Sequence, residues 1–331
     1  MVTYRSAGVD IDKANEFVKF IKEKVKKEFN LEEFGGFASG FPIKGYKKPI
    51  LFSTTDGVGT KLKVAQAVGV HNTVGIDLVA MNVNDLITTG ADPFIFLDYI
   101  ATGKLDLEVM KQVMEGIIKG CREGEVILAG GETAEMPGFY PEGVYDLAGF
   151  CVGLCEEDEV ITGKEIKPGD LLLGLPSSGF HSNGYSLIRK VLEMNNVSYE
   201  DYVEELGKKV WEVLLVPTRI YVKEIKKLKK NVKIKGIAHI TGGGIPENLI
   251  RILPEGTKAV VYKKNIPQNP VFSWIQRLGN VEEREMFRTF NMGVGMIVIL
   301  DKEEFDKARE LIPESFYLGE ILAGRKEVEI L

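Results

Sequence analysis

The sequence predicts a two-domain protein of the mixed α/β (α+β) class, and three observations support this fold. Its 331 residues are 44% hydrophobic, enough for a sizeable core, and chains of this length typically form about two domains. Apolar runs alternate with amphipathic segments, as expected of helices packed on sheets. The polar, turn-rich segment 162–170 interrupts this alternation, so we place a boundary there, between domains of residues 1–166 and 167–331.

The first domain opens with an amphipathic helix over residues 12–29, whose apolar side chains recur every three or four positions with lysines opposite. A glycine- and aromatic-rich loop follows at 34–45. The later elements are predicted in this order: strand 49–54, a helix to about residue 68, buried helix 73–90, strand 94–100, helix 105–122, strand 125–129 and strand 144–154.

The second domain repeats the alternation of strands and helices. Its predicted elements are strand 171–175, a Gly/Ser loop leading into a helix, helices near 200–215 and 217–229, strands 234–240 and 258–262, helix 271–278, strand 295–300, helix 302–311, and strands 316–321 and 327–331. Each domain should therefore pack helices on a sheet.

Charge and hydropathy exclude several classes of protein. The net charge of −6 argues against a nucleic-acid partner. No stretch reaches the roughly 18 apolar residues needed to span a membrane, and residues 1–5 lack the apolar core of a signal peptide. Three cysteines without a C-x-x-C pair indicate reduced, buried thiols. We expect a cytoplasmic protein that acts on a small molecule.

The first motif is T-D-G-V-G-T-K at residues 55–61, where a predicted strand ends. Glycines allow close backbone approach to a ligand, and consecutive N–H groups that open into a helix form an anion site. Asp56 could hold a divalent cation and Lys61 could pair with phosphate. The spacing is neither that of a Walker A loop nor of a dinucleotide fingerprint, and a tight turn with a capping aspartate remains the alternative.

The second motif is an acidic stripe on the buried helix. Asp77, Asn84 and Asp85 share one face at 3.6 residues per turn. Buried carboxylates are costly unless they are paired or bind a metal, and oxygen ligands favour Mg²⁺ over zinc. The stripe predicts a cation or a cleft, with a set of internal hydrogen bonds as the alternative.

The third motif, G-G-E-T-A-E-M-P-G at residues 130–138, is expected to follow a strand as a loop. Glu132 could add a metal ligand or bind substrate. A glycine-rich connection with exposed acids explains the same residues equally well.

The fourth motif joins a strand to a helix and reads P-S-S-G-F-H-S-N-G-Y-S at residues 176–186. It offers hydroxyls, an imidazole, an amide and backbone N–H groups, an inventory that suits a phosphate monoester. We therefore predict a second anion site here, and a capped loop is the alternative.

The fifth motif is A-H-I-T-G-G-G at residues 238–244, again a strand that leads into a glycine loop. Of the three histidines in the chain, His181 and His239 lie in such loops, whereas His71 does not. A lone histidine is more often structural than catalytic, but two in glycine-rich loops favour a functional role.

Taken in order, the five motifs resemble the aminoimidazole ribonucleotide synthetase family. The intervening L-D-Y-x-A-T-G, L-V-P-T-R-I-Y-V and M-x-R-T-F-N-x-G-V-G-M segments extend the resemblance from residue 7 to the C-terminal strand. The resemblance implies an N-terminal sheet that forms a barrel with its dimer mate, and a sandwich-like C-terminal α+β domain that closes over a cleft.

The same resemblance implies an enzyme that converts formylglycinamidine ribonucleotide and ATP into aminoimidazole ribonucleotide, ADP and phosphate. The formyl oxygen is phosphorylated first, the ribose-bearing nitrogen then attacks the formyl carbon, and phosphate leaves. The enzyme would be a homodimer that uses Mg²⁺.

The resemblance also assigns roles to residues. Mg²⁺ would be held by Asp56, Asp77, Asp85 and Glu132. The nucleotide would meet Asp56, Gly57, Gly59, Thr60, Lys61 and Lys22, although a solvated helix face explains Lys22 equally well. Substrate would contact Ser178, Gly179, Ser182, Asn183 and Glu132, and the catalytic residues would be Lys61 and one of His181 and His239, either of which could move a proton during cyclisation.

Two departures from the family pattern concern the N-terminal region. Arg5 stands where many members have lysine, and the loop 34–45 is shorter than in many relatives. Two rival functions are another ATP-dependent enzyme of the same superfamily, such as selenophosphate synthetase or thiamine monophosphate kinase, and a non-catalytic nucleotide-binding scaffold. The loop S-S-G-F-H-S-N-G-Y-S at residues 177–186, named the histidine loop below, favours the aminoimidazole ribonucleotide synthetase. The retained acids argue against a scaffold.

Overall fold

In a computed structural model of the chain, residues 8–29 and 38–331 are described. Arg5 and the first part of the loop 34–45 lie outside these residues. The described strands form a four-stranded sheet, a six-stranded sheet and a two-stranded hairpin.

The four-stranded sheet belongs to the first half of the chain. The elements of this half are α1 (Ile11–Phe29), β1 (Pro49–Gly57), α2 (Leu62–Val68), α3 (Val74–Ile87), β2 (Asp92–Thr102), α4 (Leu107–Glu123), β3 (Ile127–Glu135) and β4 (Tyr145–Glu156). The strand order is β1-β4-β2-β3, and the pairs are antiparallel except for the parallel pair β2–β3. Helix α3 packs on the sheet and α4 packs on α3. A Cβ atom on Gly75 would lie 2.3 Å from the Val113 carbonyl oxygen, so glycine is needed where these two helices meet.

The six-stranded sheet belongs to the second half. Its order is β12-β9-β11-β5-β10-β8, antiparallel except for β12–β9. The elements of this half are β5 (Leu171–Pro176), α5 (Tyr185–Met194), β6 (Tyr202–Val203), β7 (Lys208–Lys209), α6 (Val210–Leu214), α7 (Val222–Lys229), β8 (Ile234–His239), α8 (Gly244–Leu249), β9 (Thr257–Val261), α9 (Pro270–Gly279), α10 (Glu283–Thr289), β10 (Val294–Leu300), α11 (Phe305–Leu311), β11 (Phe316–Ala323) and β12 (Glu327–Ile330).

Two apolar cores cover the two faces of this second sheet. One is shared with the first half and includes side chains of α3, α5, α7 and α9. The other lies beneath α8 and includes β8, β9 and β12. The predicted mixed α/β class is confirmed, whereas a barrel with a dimer mate involves a second chain and stays a prediction.

Two sequence predictions were wrong in detail, and one helix was missed. The helix near 200–215 is instead the hairpin β6–β7 followed by the short α6, because Gly207 adopts a left-handed φ of 63° that turns the chain. The glycine-rich motif at 130–135 continues β3 rather than forming a loop. The helix α10 was not predicted, since among its seven residues only Met286 is buried and the apolar pattern is too weak to read.

The two halves meet along helix α3. The Asn84 side chain donates to the Arg219 carbonyl at 2.8 Å and accepts from the Tyr221 N–H at 3.0 Å. Its predicted place on the polar face of α3 thus serves an internal contact between the halves. In the part of the chain that the structure describes, no helix is long and apolar enough to cross a membrane.

Candidate functional site

The loops that follow β1, β5 and β8 converge on the polar face of α3. Asp56 lies at the end of β1 and His239 at the end of β8, while His181 lies in the loop after β5. Hydrogen bonds join the loops after β5 and β8 to α3, and they bring the first, second, fourth and fifth sequence motifs into one region. The third motif lies elsewhere, on β3.

Asp85 pairs with a histidine. Its Oδ1 lies 2.7 Å from Nδ1 of His239, whose ring is buried, whereas the Asp85 side chain is 43% exposed. An ionised carboxylate accepts hydrogen bonds but has no proton to donate. Asp85 therefore favours the His239 tautomer that carries its proton on Nδ1. The His239 Nε2 atom is left as an acceptor, and it is buried with no hydrogen-bond partner among the described residues.

Asp56 lies close enough to Asp85 and His239 for their charges to matter. Burial raises the pKa of Asp56, the N–H of Gly57 opposes this with a 2.8 Å hydrogen bond, and the Asp85 charge raises the pKa further. Two neighbouring carboxylates of this kind would favour a cation between them. Mg²⁺ is commonly held by one or two carboxylates together with water and substrate phosphates, so this pair fits the ion without a full cage of protein ligands.

Asp77, also predicted to bind metal, lies in a different environment. It is fully buried, and its Oδ1 is 2.9 Å from the Lys61 ammonium. All three N–H bonds of that ammonium are used, so Lys61 does not face an open phosphate site as predicted. The physical reason is that Lys61 and Asp77 are buried where the two halves of the chain meet, so carbonyls of the second half take the place of a ligand.

The loop after β5 holds His181 in an unusual backbone conformation. Its φ is +59°, and its Nε2 accepts from the Ser178 N–H at 3.1 Å, which leaves the ring proton on Nδ1. Burial lowers the pKa of His181 well below its ordinary value, and the nearby His239, Lys61 and Arg219 act in the same direction. The ring is therefore neutral near pH 7, with a buried Nδ1–H that has no partner among the described residues.

The remaining polar groups of this loop are partly engaged. Ser178 donates its hydroxyl to the Pro217 carbonyl at 2.6 Å, and Ser182 donates to Asp77 at 3.1 Å. The Gly179 carbonyl accepts from Asn291, a site-supporting residue that the sequence analysis did not single out. The Asn183 Oδ1 accepts from the Gly242 N–H at 3.0 Å, whereas its Nδ2 is buried and unpaired in the described structure.

The loop after β1 touches the helix that follows the histidine loop. The Thr60 hydroxyl lies 3.1 Å from that of Ser186, and Gly59 has a left-handed φ of 73°. A larger residue at position 57 would contact the backbone closely, since a Cβ there would lie 3.0 Å from the Leu147 carbonyl oxygen. The glycines predicted here are thus required by the turn, and they keep its backbone close to the Asp56 carboxylate.

Glu132 and Lys22 line a separate pocket of about 270 Å³ between α1 and β3. The same pocket includes Asp98, a buried acid on β2 that the sequence analysis did not propose as a site residue. Burial raises the pKa of Asp98 to about 7, and the charge of Glu132 adds to this. The signal that could have identified it is a lone acid within the apolar strand 94–100.

The four predicted metal ligands therefore occupy three places. Asp56 and Asp85 lie together, Asp77 is paired with Lys61, and Glu132 lies beside Asp98. Over residues 8–29 and 38–331, no three His, Cys, Asp or Glu side chains form a group that could hold a metal ion. Of these four, Asp56 and Asp85 are the two whose charges act on each other.

Family models match both halves of the chain. The N-terminal domain of AIR synthase related proteins matches residues 45–155, and their C-terminal domain matches residues 167–331. A phosphoribosylformylglycinamidine cyclo-ligase from Caldanaerobacter subterraneus subsp. tengcongensis is 56% identical over 329 residues, covering 97% of this chain and 98% of that protein. The chain belongs to the phosphoribosylformylglycinamidine cyclo-ligase family. It is accordingly an enzyme of the ligase type, as the sequence predicted.

Other relatives agree on the family and on the fold. The cyclo-ligase of Myxococcus xanthus is 50% identical, covering 98% of this chain and 97% of its own length. Among solved structures, the hydrogenase maturation protein HypE in complex with ATP matches with a TM-score of 0.68 at 16% identity, covering 95% of this chain and 90% of its own. Thiamine-monophosphate kinase from Stenotrophomonas maltophilia matches with a TM-score of 0.68 at 15% identity, covering 94% and 95%. At such low sequence identities, these two matches show that the chain shares their fold and nothing more.

Proposed function

We propose that the site around α3 closes the imidazole ring of formylglycinamidine ribonucleotide at the expense of ATP, giving 5-aminoimidazole ribonucleotide, ADP and phosphate. The chain is a cyclo-ligase of purine biosynthesis. One observation carries the assignment to this site. Three buried polar atoms, His239 Nε2, His181 Nδ1 and Asn183 Nδ2, have no hydrogen-bond partner among the described residues, and they lie at the end of β8 and in the loop after β5, in the region of the Asp56 and Asp85 carboxylates.

An amide oxygen is a poor leaving group, and phosphoryl transfer to it makes it a good one. Such transfer needs mainly positioning and neutralisation of charge. We assign Asp56 and Asp85 to hold Mg²⁺, which would supply positive charge to the phosphates of ATP. The loop of Gly57, Gly59 and Thr60 would lie along those phosphates. The exposure of Asp85 leaves the carboxylate open to such a ligand.

Ring closure also requires the attacking nitrogen to lose a proton. His239 is suited to accept it, because Asp85 holds the proton of the ring on Nδ1 and leaves Nε2 as a base. His181 is neutral and presents an Nδ1–H, so it is suited to donate a hydrogen bond to the substrate. Asn183 would donate through its Nδ2, beside Ser178, Gly179 and Ser182 of the same loop.

The pocket of Lys22 and Glu132 is assigned to another part of the bound nucleotide or substrate. A lysine beside two acids could pair with an anion or a ribose hydroxyl, and Val18 and Ile21 provide an apolar wall.

We also place the domain boundary after residue 166, within the turn-rich segment that precedes β5. The cytoplasmic location remains a prediction.

The proposed reaction can be tested with purified protein, ATP, Mg²⁺ and formylglycinamidine ribonucleotide. We expect the aminoimidazole product and ADP to form in equal amounts, and neither to form without ATP. A His239→Asn protein purified in parallel controls for enzymes of the expression host. ADP formation without the aminoimidazole product would overturn the assignment of this substrate.

We further propose that the chain forms a homodimer through the outer face of its first sheet. This face carries the exposed apolar side chains Leu51, Leu97 and Phe150, of which Leu97 and Phe150 are paired across β2 and β4. In the described structure β1 and β3 each have one unpaired edge. Exposed apolar sheet faces and open edges favour association with another chain.

Sedimentation velocity at micromolar concentration should therefore give a dimer. Leu97→Lys should give a monomer, because a charged ammonium would be buried in the contact. Met194→Lys is the matched control, since Met194 is 69% exposed on α5 and lies outside this face. A monomeric wild-type protein under these conditions would contradict the proposed dimer.

A further inference from the structure

Lys61 and Asp77 form an ion pair in which both side chains are fully buried. The Lys61 Nζ lies 2.9 Å from Asp77 Oδ1, and both residues belong to the first half of the chain. The other two N–H bonds of Lys61 reach into the second half, to the His181 carbonyl at 3.0 Å and the Val216 carbonyl at 2.7 Å. An ammonium has three N–H donors, so none remains for a ligand.

Asp77 also reaches into the second half. Its Oδ1 accepts from the N–H of Thr218 at 2.7 Å, the hydroxyl of Thr218 at 2.7 Å and the hydroxyl of Ser182 at 3.1 Å. The Thr218 and Ser182 hydroxyl oxygens lie 3.0 Å apart, and each hydroxyl has a single proton, so a proton shared between them is not given to Asp77. The ion pair thus holds two separate segments of the second half, the histidine loop and the segment 216–218.

Such an arrangement is a poor source of stability in itself. Removing two charges from water costs as much as their attraction returns, and apolar replacements of buried ion pairs are often neutral or stabilising. What the pair does provide is fixed geometry. The left-handed backbone of His181 is unfavourable for a residue other than glycine, and the Lys61 ammonium bonds to the carbonyl of that same residue.

We propose that Lys61 and Asp77 are positioning residues that clamp the histidine loop against helix α3, so that His181 Nδ1 and Asn183 Nδ2 face the reacting substrate. This inference rests on the proposed function for the role of those two atoms. Lys61 keeps no N–H for a ligand, and the bonded Oδ1 of Asp77 faces the second half of the chain. Their effect passes through the His181 carbonyl and the Ser182 hydroxyl.

The test uses the double variant Lys61→Met/Asp77→Asn in the full-length protein, which removes both charges without leaving one of them unpaired. Displacement of a reacting group by about 1 Å can cost about 10²-fold in rate. We expect kcat to fall by about that factor while the KM for ATP changes less than about threefold. The matched control is Lys235→Met/Asp170→Asn, because that pair is also buried, at 2.6 Å, but lies away from the histidine loop. Lys235 bonds Asp301 as well, at 2.6 Å, but Asp301 is partly exposed and keeps Lys167 at 3.5 Å.

A second readout does not depend on turnover. The chain has three histidines, so their ring nitrogen signals can be assigned by NMR from single His→Asn variants. In wild-type protein His181 should show one tautomer, with Nε2 accepting and Nδ1 protonated. In the double variant we expect a mixture of tautomers for His181 and unchanged signals for His71, whereas the Lys235/Asp170 control should leave both unchanged.

Thr218→Val provides a milder variant in case the double variant does not fold. It removes one hydroxyl donor to Asp77 and should lower kcat by about tenfold with a shift of the His181 signals, and Thr218→Ser should restore both. If kcat and the His181 signals match wild type in every folded variant, the pair is only structural and the inference is wrong. Failure of the proposed function is a separate outcome, namely a wild-type protein that makes no aminoimidazole product but still shows the histidine NMR response.

Discussion

Replacing Asp85 with asparagine is expected to lower kcat by about 10²–10⁴-fold while the fold is retained. The side chain is 43% exposed, so an amide of the same size can occupy its place. The amide carries no charge, so it would neither hold Mg²⁺ nor stabilise the imidazolium that forms when His239 takes a proton. General acid–base help alone is typically worth about 10²–10⁴-fold.

Two comparisons separate the roles of Asp85. Asp56→Asn should show a similar loss if the two acids share a cation, and raised Mg²⁺ should partly restore both variants. If Asp85 serves only to orient His239, Asp56→Asn should remain active. Asp158→Asn, at an exposed position in the turn after β4, is the control for a charge change alone. Near wild-type turnover of Asp85→Asn at low Mg²⁺ would contradict the ligand role.

His181→Asn is expected to lower kcat by about 10²-fold, with a smaller change in KM. Asparagine tolerates the left-handed backbone of this position, so the variant isolates the loss of the ring. The Nδ1–H of His181 is buried without a partner in the described structure, as expected of a donor that acts on the bound substrate. A contact that forms mainly in the transition state affects kcat, whereas uniform binding affects KM.

The pH dependence of the rate tests the protonation state of His181. Burial holds the pKa of His181 well below its usual value, so the ring stays neutral through pH 6–7, a range set by the ordinary histidine pKa of about 6.5. The profiles of kcat against pH for wild-type protein and His181→Asn should therefore have the same shape between pH 6 and 7. If His181→Asn retains wild-type kcat and KM, this histidine is structural and the search for the reacting groups moves to His239 and the acids.

The family, the mixed α/β class and most strand and helix positions could be predicted from the amino-acid sequence. These follow from local patterns: glycines that permit tight turns, apolar periodicity, and polar residues in order along the chain. The positions of His181 and His239 in or beside glycine-rich loops could also be predicted, because the residues of each motif are contiguous in the sequence. Whether a chain forms the predicted barrel with a second copy depends on contacts between chains, which a local pattern does not describe.

Which polar residues share a site depends on contacts between segments that are distant in the sequence. From the sequence, Asp77 and Asp85 are equivalent acids on one helix face, and Lys61 resembles a phosphate ligand. Folding buries Lys61 and Asp77 between the two halves, where they form an ion pair, while Asp85 stays partly exposed beside His239. Asp98 and Glu132 likewise meet only because β2 and β3 pair in parallel. Burial and pairing depend on segments distant in sequence, and they decide whether a charge is structural or free to bind a ligand.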